Sequence, residues 1–250
     1  MIRCLSFSII LACFLIYTTA SAFEYKSILK GDIEQAKTIF TKRNLVRTGI
    51  FCVIFLSSMG LDKEIDKAVD KHRGNALDNV ADTVNVFGNV SFTFPVAIGL
   101  HLMGLAIKDN KLAEASFTAF ESLLIAGGLC HVGKTIFGRA RPRIANSPFH
   151  FRPFRGYKRN WRSLPCGHAT MASALVTPYA VYYHQPWLYL LPIFTSFARV
   201  YKGEHWFSDT ILGMGIGFST SYLLSKWHLN RHNKIFIGFC KKGVCLNIRF

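Results

Sequence analysis

Apolar residues gather into long runs with short polar breaks between them. Runs at about 48–61, 86–107, 112–133, 168–184, 186–201 and 208–226 approach the ~20 residues a helix needs to cross a bilayer, although 48–61 is short. Between the first two lies "LDKEIDKAVDKHRGNALDNVADTV", whose apolar residues recur at three and four, the spacing of an amphipathic surface helix. "KDNK" at 108–111 reads as a tight turn between two helices. No repeat and no low-complexity linker divides the chain. The pattern predicts one all-α domain over 48–230, a polytopic helical membrane bundle of about six helices.

The two ends read differently. "MIRCLSFSIILACFLIYTTASA" has one early arginine, an apolar run and Ala20-Ser21-Ala22 as a small-residue cleavage site, so 1–22 is a signal peptide or a first membrane helix. Residues 23–47 are polar and basic. In the tail, 231–250, "IFIGFCKKGVCLNIRF" alternates like a small hairpin around Lys242-Gly243. Such a hairpin could set Cys240 opposite Cys245; an open tail would leave two unpaired thiols.

Composition supports a membrane class: half of the 250 residues are hydrophobic and the mean hydropathy is positive. The formal charge is +16. Because the basic residues lie between apolar runs rather than on a polar domain, the charge points to anionic headgroups or a phosphorylated substrate, not to nucleic acid. Beyond Glu121 the chain has two carboxylates, Glu204 and Asp209, so any carboxylate chemistry in that half uses one of them. The seven cysteines are scattered, with no Cys/His spacing of a zinc site. Oligomeric state is not encoded in any of these features.

Charge also bears on orientation. Two lysines in "KDNK" suit the cytoplasm, which sends the end of helix 112–133 to the periplasmic side of a bacterial-type inner membrane. The loop 139–162 would then be outside, although it carries eight Arg or Lys and no acid. A loop that holds phosphate explains the exception. A cleaved signal followed by a full span at 48–61 would reverse this, so either 48–61 does not cross or the first segment stays in the membrane.

Three clusters carry candidate chemistry. In "KTIFGRARP", Lys134 and Arg141 are seven apart, two helical turns, so both can share a face near a helix end, with Pro142 stopping the helix. In "PCGH", Pro165 favours a first helical turn. The free N–H groups after it form an anion site, and Gly167 lets a ligand approach. In "ARVYKGEHWFSD", Asp209 follows His205 by four, so its carboxylate can hold one imidazole nitrogen and fix the tautomer. Singly, each is an ordinary basic helix end or structural pair. Together they place two histidines, three cations and a scarce carboxylate at four successive helix ends on one side.

That set fits phosphoryl transfer without a metal or other cofactor. Fixed cations and helix N–H groups stabilise charge on the phosphoryl oxygens, an oriented imidazole attacks in line, and a second histidine protonates the leaving alkoxide. Carboxylates are too few, and the histidines too widely spaced, for a divalent-metal site.

The three clusters closely resemble the signature of the type 2 phosphatidic acid phosphatase family, K-x6-R-P, P-S-G-H and S-R-x5-H-x3-D. That family embraces lipid phosphate phosphatases, bacterial class A acid phosphatases and vanadium haloperoxidases. The resemblance covers roughly 62–226. It implies a membrane lipid phosphatase with its active site at helix ends on the periplasmic side. Its substrate would be phosphatidic acid, phosphatidylglycerol phosphate, a polyprenyl pyrophosphate or a lipid A phosphate. His205 would be the nucleophile, Asp209 its orienting partner and His168 the general acid. Lys134, Arg141, Arg199, Cys166 and Gly167 would bind phosphate. A soluble periplasmic acid phosphatase and a non-catalytic lipid-phosphate-binding protein are the alternatives, and a haloperoxidase fits the apolar runs least.

Two positions depart from the signature. Ala198 stands where the family has serine. Cys166 replaces the serine that donates to phosphate, and a thiol is a poorer donor. A thiol at a helix start beside cations is also expected to have a lowered pKa and to be open to oxidation.

Overall fold

The computed structural model describes residues 41–232 together with 236–240 and 243–247. The expectations for residues 1–22 and for 23–40 lie outside these. Seven α-helices form among the described residues: α1 (Lys42–Lys71), α2 (Asn75–Asn85), α3 (Val90–Ala106), α4 (Asn110–Phe137), α5 (Gly167–Tyr183), α6 (Leu190–Tyr201) and α7 (Phe207–His232). The fold is helical, as the hydrophobic pattern predicts. The exception among the described residues is an antiparallel hairpin of β1 (Phe236–Cys240) and β2 (Gly243–Asn247). Its register pairs Cys240 with Gly243 and Cys245 with Gly238, so the two cysteines are not opposite one another.

The apolar run at 48–61 belongs to a longer helix than its hydropathy marks. Thr41 caps α1 by accepting from the Asn44 N–H at 3.4 Å, which carries Lys42, Arg43 and Arg47 into the first turns. Thirty residues at ~1.5 Å each give about 45 Å, ample for a bilayer core of ~30 Å. Leu45, Val46, Ile50, Val53, Ile54 and Leu56 all stay exposed on it. The amphipathic stretch after it is two pieces, not one helix. His72 donates its N–H back to Val69 O (3.0 Å) to end α1, and extended Gly74 starts α2. By length and composition α1 and α4 can cross a membrane. A third span results if α2, its 3-10 turn and α3, bent by 52° at the break, act as one.

Side-chain pairs fix the helix directions. Gly104 and His101 of α3 meet Ala113 at the start of α4, and Phe94 stacks edge-on against Phe120, so α3 and α4 run antiparallel around the turn at 108–111. Lys108 in the left-handed region (φ 59°) reverses the chain, and Asp109 caps α4 through Leu112 N–H at 3.0 Å. Phe94, Ala97, Ile98, Phe117, Leu123, Met171 and Leu175 form the main core of α3, α4 and α5. α5 and α7 run parallel in close contact. A Cβ on Gly213 would lie 2.4 Å from Cys166 O, and one on Gly217 would lie 2.3 Å from Thr170 O. Four residues further on, Ser221 Oγ donates to Ala174 O at 3.2 Å. This small residue at every fourth position is how apolar helices bring backbones together.

α1 lies antiparallel along α7, with Phe51 seated on Gly215 and Asp62 bonded to Ser208 N–H at 2.7 Å. The start of α1 and the 108–111 turn therefore share one end of the bundle. The end of α4, the start of α5, the end of α6 and the start of α7 meet at the other.

Candidate active site

At that second end the loop 138–166 folds over four helix termini. α4 stops at Gly138, in the left-handed conformation (φ 54°), not at Pro142. Any Cβ there would collide with Arg152 O, so glycine is required twice over. Lys134 and Arg141 therefore do not share a helical face as their spacing predicts. Arg141 is extended loop, its N–H bonded to Asn160 O at 3.1 Å, and the chain turns back to bring it to Lys134. Pro165 likewise precedes the cap, joined to Leu164 by a cis bond, and α5 begins at Gly167 with Cys166 at the cap position.

The result is a cavity of about 360 Å³ lined by Lys134, Arg141, Gly167, His168, Arg199 and His205, with Tyr157, Arg159 and Arg162 at its rim. Six of the eight candidate residues line it. Lys134 Nζ is anchored on Arg162 O (2.8 Å) and Pro165 O (2.5 Å), at the mouth of α5. Arg199 Nη1 donates to Asn85 Oδ1 at 2.9 Å, while the buried Nε atoms of Arg199 and Arg141 have no hydrogen-bond partner among the described residues. Burial, with Arg143, Arg199 and Arg159 nearby, pushes the Arg141 guanidinium down to about 10. Crowded cations with unspent donors make an anion site.

His205 sits in the loop between α6 and α7. Its Nδ1 donates to Ser163 O at 2.6 Å, leaving Nε2 for the cavity. Asp209 Oδ2 stands 3.7 Å from Nδ1, so the Ser163 carbonyl, not the carboxylate, is its immediate partner. Asp209 is wholly buried and lies outside the cavity lining. It accepts from Ser163 Oγ and from Trp206 N–H (2.9 Å), and its backbone carbonyl takes Cys166 N–H at 2.9 Å. It thus ties the His205 loop to the start of α5. Burial pushes His205 down to about 3, Asp209 opposing and Lys134 and Arg199 adding to the drop, so its imidazole is neutral across ordinary pH.

Cys166 does not lie where its motif position implies. It is fully buried, and its side chain is not part of the cavity lining. Burial pushes its thiol up, against the pull of Arg199 and Lys134, so the lowered pKa expected for a helix-start thiol is overturned by desolvation.

Residues that the motifs do not reveal complete the site. Arg139, with none of its side chain exposed, joins Asp62 Oδ2 and Asp209 Oδ1, each at 2.7 Å. It also donates to Pro148 O and Ser208 Oγ, again at 2.7 Å. Glu204 sits among Arg141, Arg143 and Arg199. A second cavity, about 390 Å³, adjoins the first and shares Lys134, Arg162, Gly167 and His168 with it; Val90, Phe94, Leu123, Leu124 and Met171 make it largely apolar. Among the described residues no three His, Cys, Asp or Glu side chains are grouped to hold a metal ion.

Fold and pocket together define a class: a helical membrane protein with a basic anion site at the bundle end. Comparison with known proteins narrows it. The PAP2 superfamily profile matches residues 115–233, a stretch that holds all eight candidate residues. A lipid A 1-phosphatase of Porphyromonas gingivalis is 29% identical over 139 residues, 52% of this chain and 28% of the relative. One of Rhizobium johnstonii is 26% identical over 155 residues, 59% of this chain and 63% of the relative. The chain thus matches less than two thirds of the length of either. The crystal structure of a transmembrane PAP2-type phosphatidylglycerolphosphate phosphatase from Bacillus subtilis superposes with a TM-score of 0.54 at 20% identity, covering 82% of this chain and 95% of that one. Aquifex aeolicus LpxE does so at 0.52 and 20%, covering 66% and 95%. Over just under half of its length the chain is similar to the PAP2 superfamily, and it shares the fold of both solved structures.

Proposed function

We propose that this chain is a membrane-embedded lipid phosphatase that removes a phosphoryl group from a lipid phosphomonoester or pyrophosphate. One observation carries the reading. A cation-lined cavity of a size to hold a phosphorylated headgroup adjoins, across shared Lys134, Arg162, Gly167 and His168, an apolar cavity bounded by α3, α4 and α5. Headgroup and hydrocarbon need such adjoining spaces, and a soluble phosphomonoester does not. The exposed apolar surface of α1 points to a lipid surround rather than to a soluble periplasmic enzyme.

In this mechanism the phosphate rests on Lys134, Arg141, Arg199 and the free N–H groups at the start of α5. His205 Nε2, neutral and held by Ser163 O, attacks phosphorus, and a P–N bond forms as the P–O bond to the lipid breaks. A phosphate ester entering with one proton hands it to His168, which passes it to the departing oxygen and then takes one from the water that cleaves the phosphohistidine. Fixed cations do the charge neutralisation, so no metal is required. Asp209 positions the loop rather than touching the phosphate.

The site faces the periplasmic side of a bacterial-type inner membrane. Lys42, Arg43, Arg47, Lys108 and Lys111 share the opposite end of the bundle and satisfy the positive-inside bias there. With α1 taken as a full span from that end, this orientation requires the first segment to stay in the membrane. The relatives named lipid A 1-phosphatases put a glycolipid phosphate first among substrates to try.

The test is phosphate release by the full-length protein in detergent, with EDTA, on lipid A, phosphatidic acid, phosphatidylglycerol phosphate, a polyprenyl pyrophosphate and a soluble phosphomonoester. Turnover of one lipid that is lost in His205→Ala is the expected result. Equal turnover of the soluble ester, or activity that survives His205→Ala, overturns the proposal.

A further inference from the structure

Glu204 occupies the wrong place for an ordinary surface acid. Its carboxylate makes ion pairs with Arg141 and Arg143, and Oε2 lies 3.5 Å from Arg199 Nη2. Arg141 and Arg199 line the anion cavity, and Glu204 is 14% exposed between them. It is one of only two acids in the second half of the chain, and Asp209, the other, faces Arg139 instead. The carboxylate therefore meets two of the cations that a phosphoryl group must meet, and like phosphate it offers a pair of anionic oxygen acceptors to a guanidinium fork.

We propose that Glu204 is an affinity-determining residue, a built-in competitor for the arginines of the phosphate site. This rests on the phosphatase reading above. With no ligand bound, Glu204 satisfies Arg141 and Arg199 and offsets the repulsion among the clustered guanidiniums. When a phosphate dianion enters, it must share or displace that carboxylate. The ligand class acted on is the phosphate dianion, both as the reacting group and as inorganic phosphate after hydrolysis. The consequence is weakened retention of product, so that the site empties between turnovers.

The experiment measures binding of inorganic phosphate and of vanadate to the full-length protein in detergent by isothermal titration, for wild type, Glu204→Gln and Glu204→Asp. Like charges placed side by side away from bulk water repel strongly, and the expected change is roughly tenfold tighter binding in Glu204→Gln. Glu204→Asp keeps the charge but shortens its reach by one methylene, and a smaller change in the same direction is expected. The inhibition constant of phosphate, in any assay showing turnover, should fall in parallel. If Glu204→Gln binds phosphate as wild type does, or more weakly, Glu204 is a scaffold for the arginines and the proposal is overturned. If neither protein binds either anion, it is the phosphate-site reading that fails first.

Discussion

Arg139 tests how the site is held up. Its guanidinium has no exposed surface and serves two carboxylates, Asp62 and Asp209, that are themselves fully buried. Arg139→Met keeps much of the volume but leaves both acids without a counter-ion. Breaking a buried ion pair by removing one partner costs about 3–5 kcal/mol, because the remaining charge stays desolvated. In a domain of this size each kcal/mol lowers the melting temperature by about 2–4 °C, so a fall of roughly 6–20 °C is expected. Turnover should fall as well, since Asp209 also anchors Ser163, Trp206 and the start of α5. Arg139→Lys should sit between, as one ammonium cannot match the guanidinium fork. Adding Asp62→Asn to Arg139→Met should recover part of the loss. The assay is thermal melting in detergent beside initial rates on the preferred lipid. A melting temperature within about 2 °C of wild type, with full turnover, would refute the idea that this network braces the site.

Four further outcomes are expected. Gly217→Ala forces a Cβ to within 2.3 Å of Thr170 O and should lower the melting temperature. Gly167→Ala meets only ordinary contact (Lys134 Cε at 3.6 Å) and should melt normally while losing phosphate affinity. Thiol reagents under native conditions should label exposed Cys52 and spare buried Cys166, as read by peptide mass spectrometry; labelling of Cys166 would contradict its burial. Finally, an unfolded His205 takes a proton near pH 6.5 while the folded one waits until about 3. Stability should therefore drop by up to about 1.4 kcal/mol per pH unit as pH falls through that window, and His205→Gln should flatten the slope of melting temperature against pH.

The bundle was legible because lipid and core demand apolar runs of helical length, and the candidate site residues were legible because their types and spacings are those that phosphoryl transfer would need. What the sequence hid is long-range. Asp62 reaches Arg139 across 77 positions, and no local periodicity records that. Lys134 and Arg141 fit a two-turn helical spacing, yet Gly138 breaks the helix between them, because a residue that accepts φ 54° also permits the backbone of Arg152 to close in. Glu204 reads as a loop acid until the fold gathers three arginines about it. Cys166 shows the opposite hazard, where a motif position suggests exposure and packing removes it.

The glycine rail between α5 and α7 carries a consequence for how this fold can evolve. His168 rides on α5 and His205 lies in the loop two residues before α7, so the gap between them depends on backbones touching without side-chain spacers. A slip of one helical turn would carry the two imidazoles about 5.4 Å apart along the axis. The loops above can therefore be rewritten while the two histidines keep their registry.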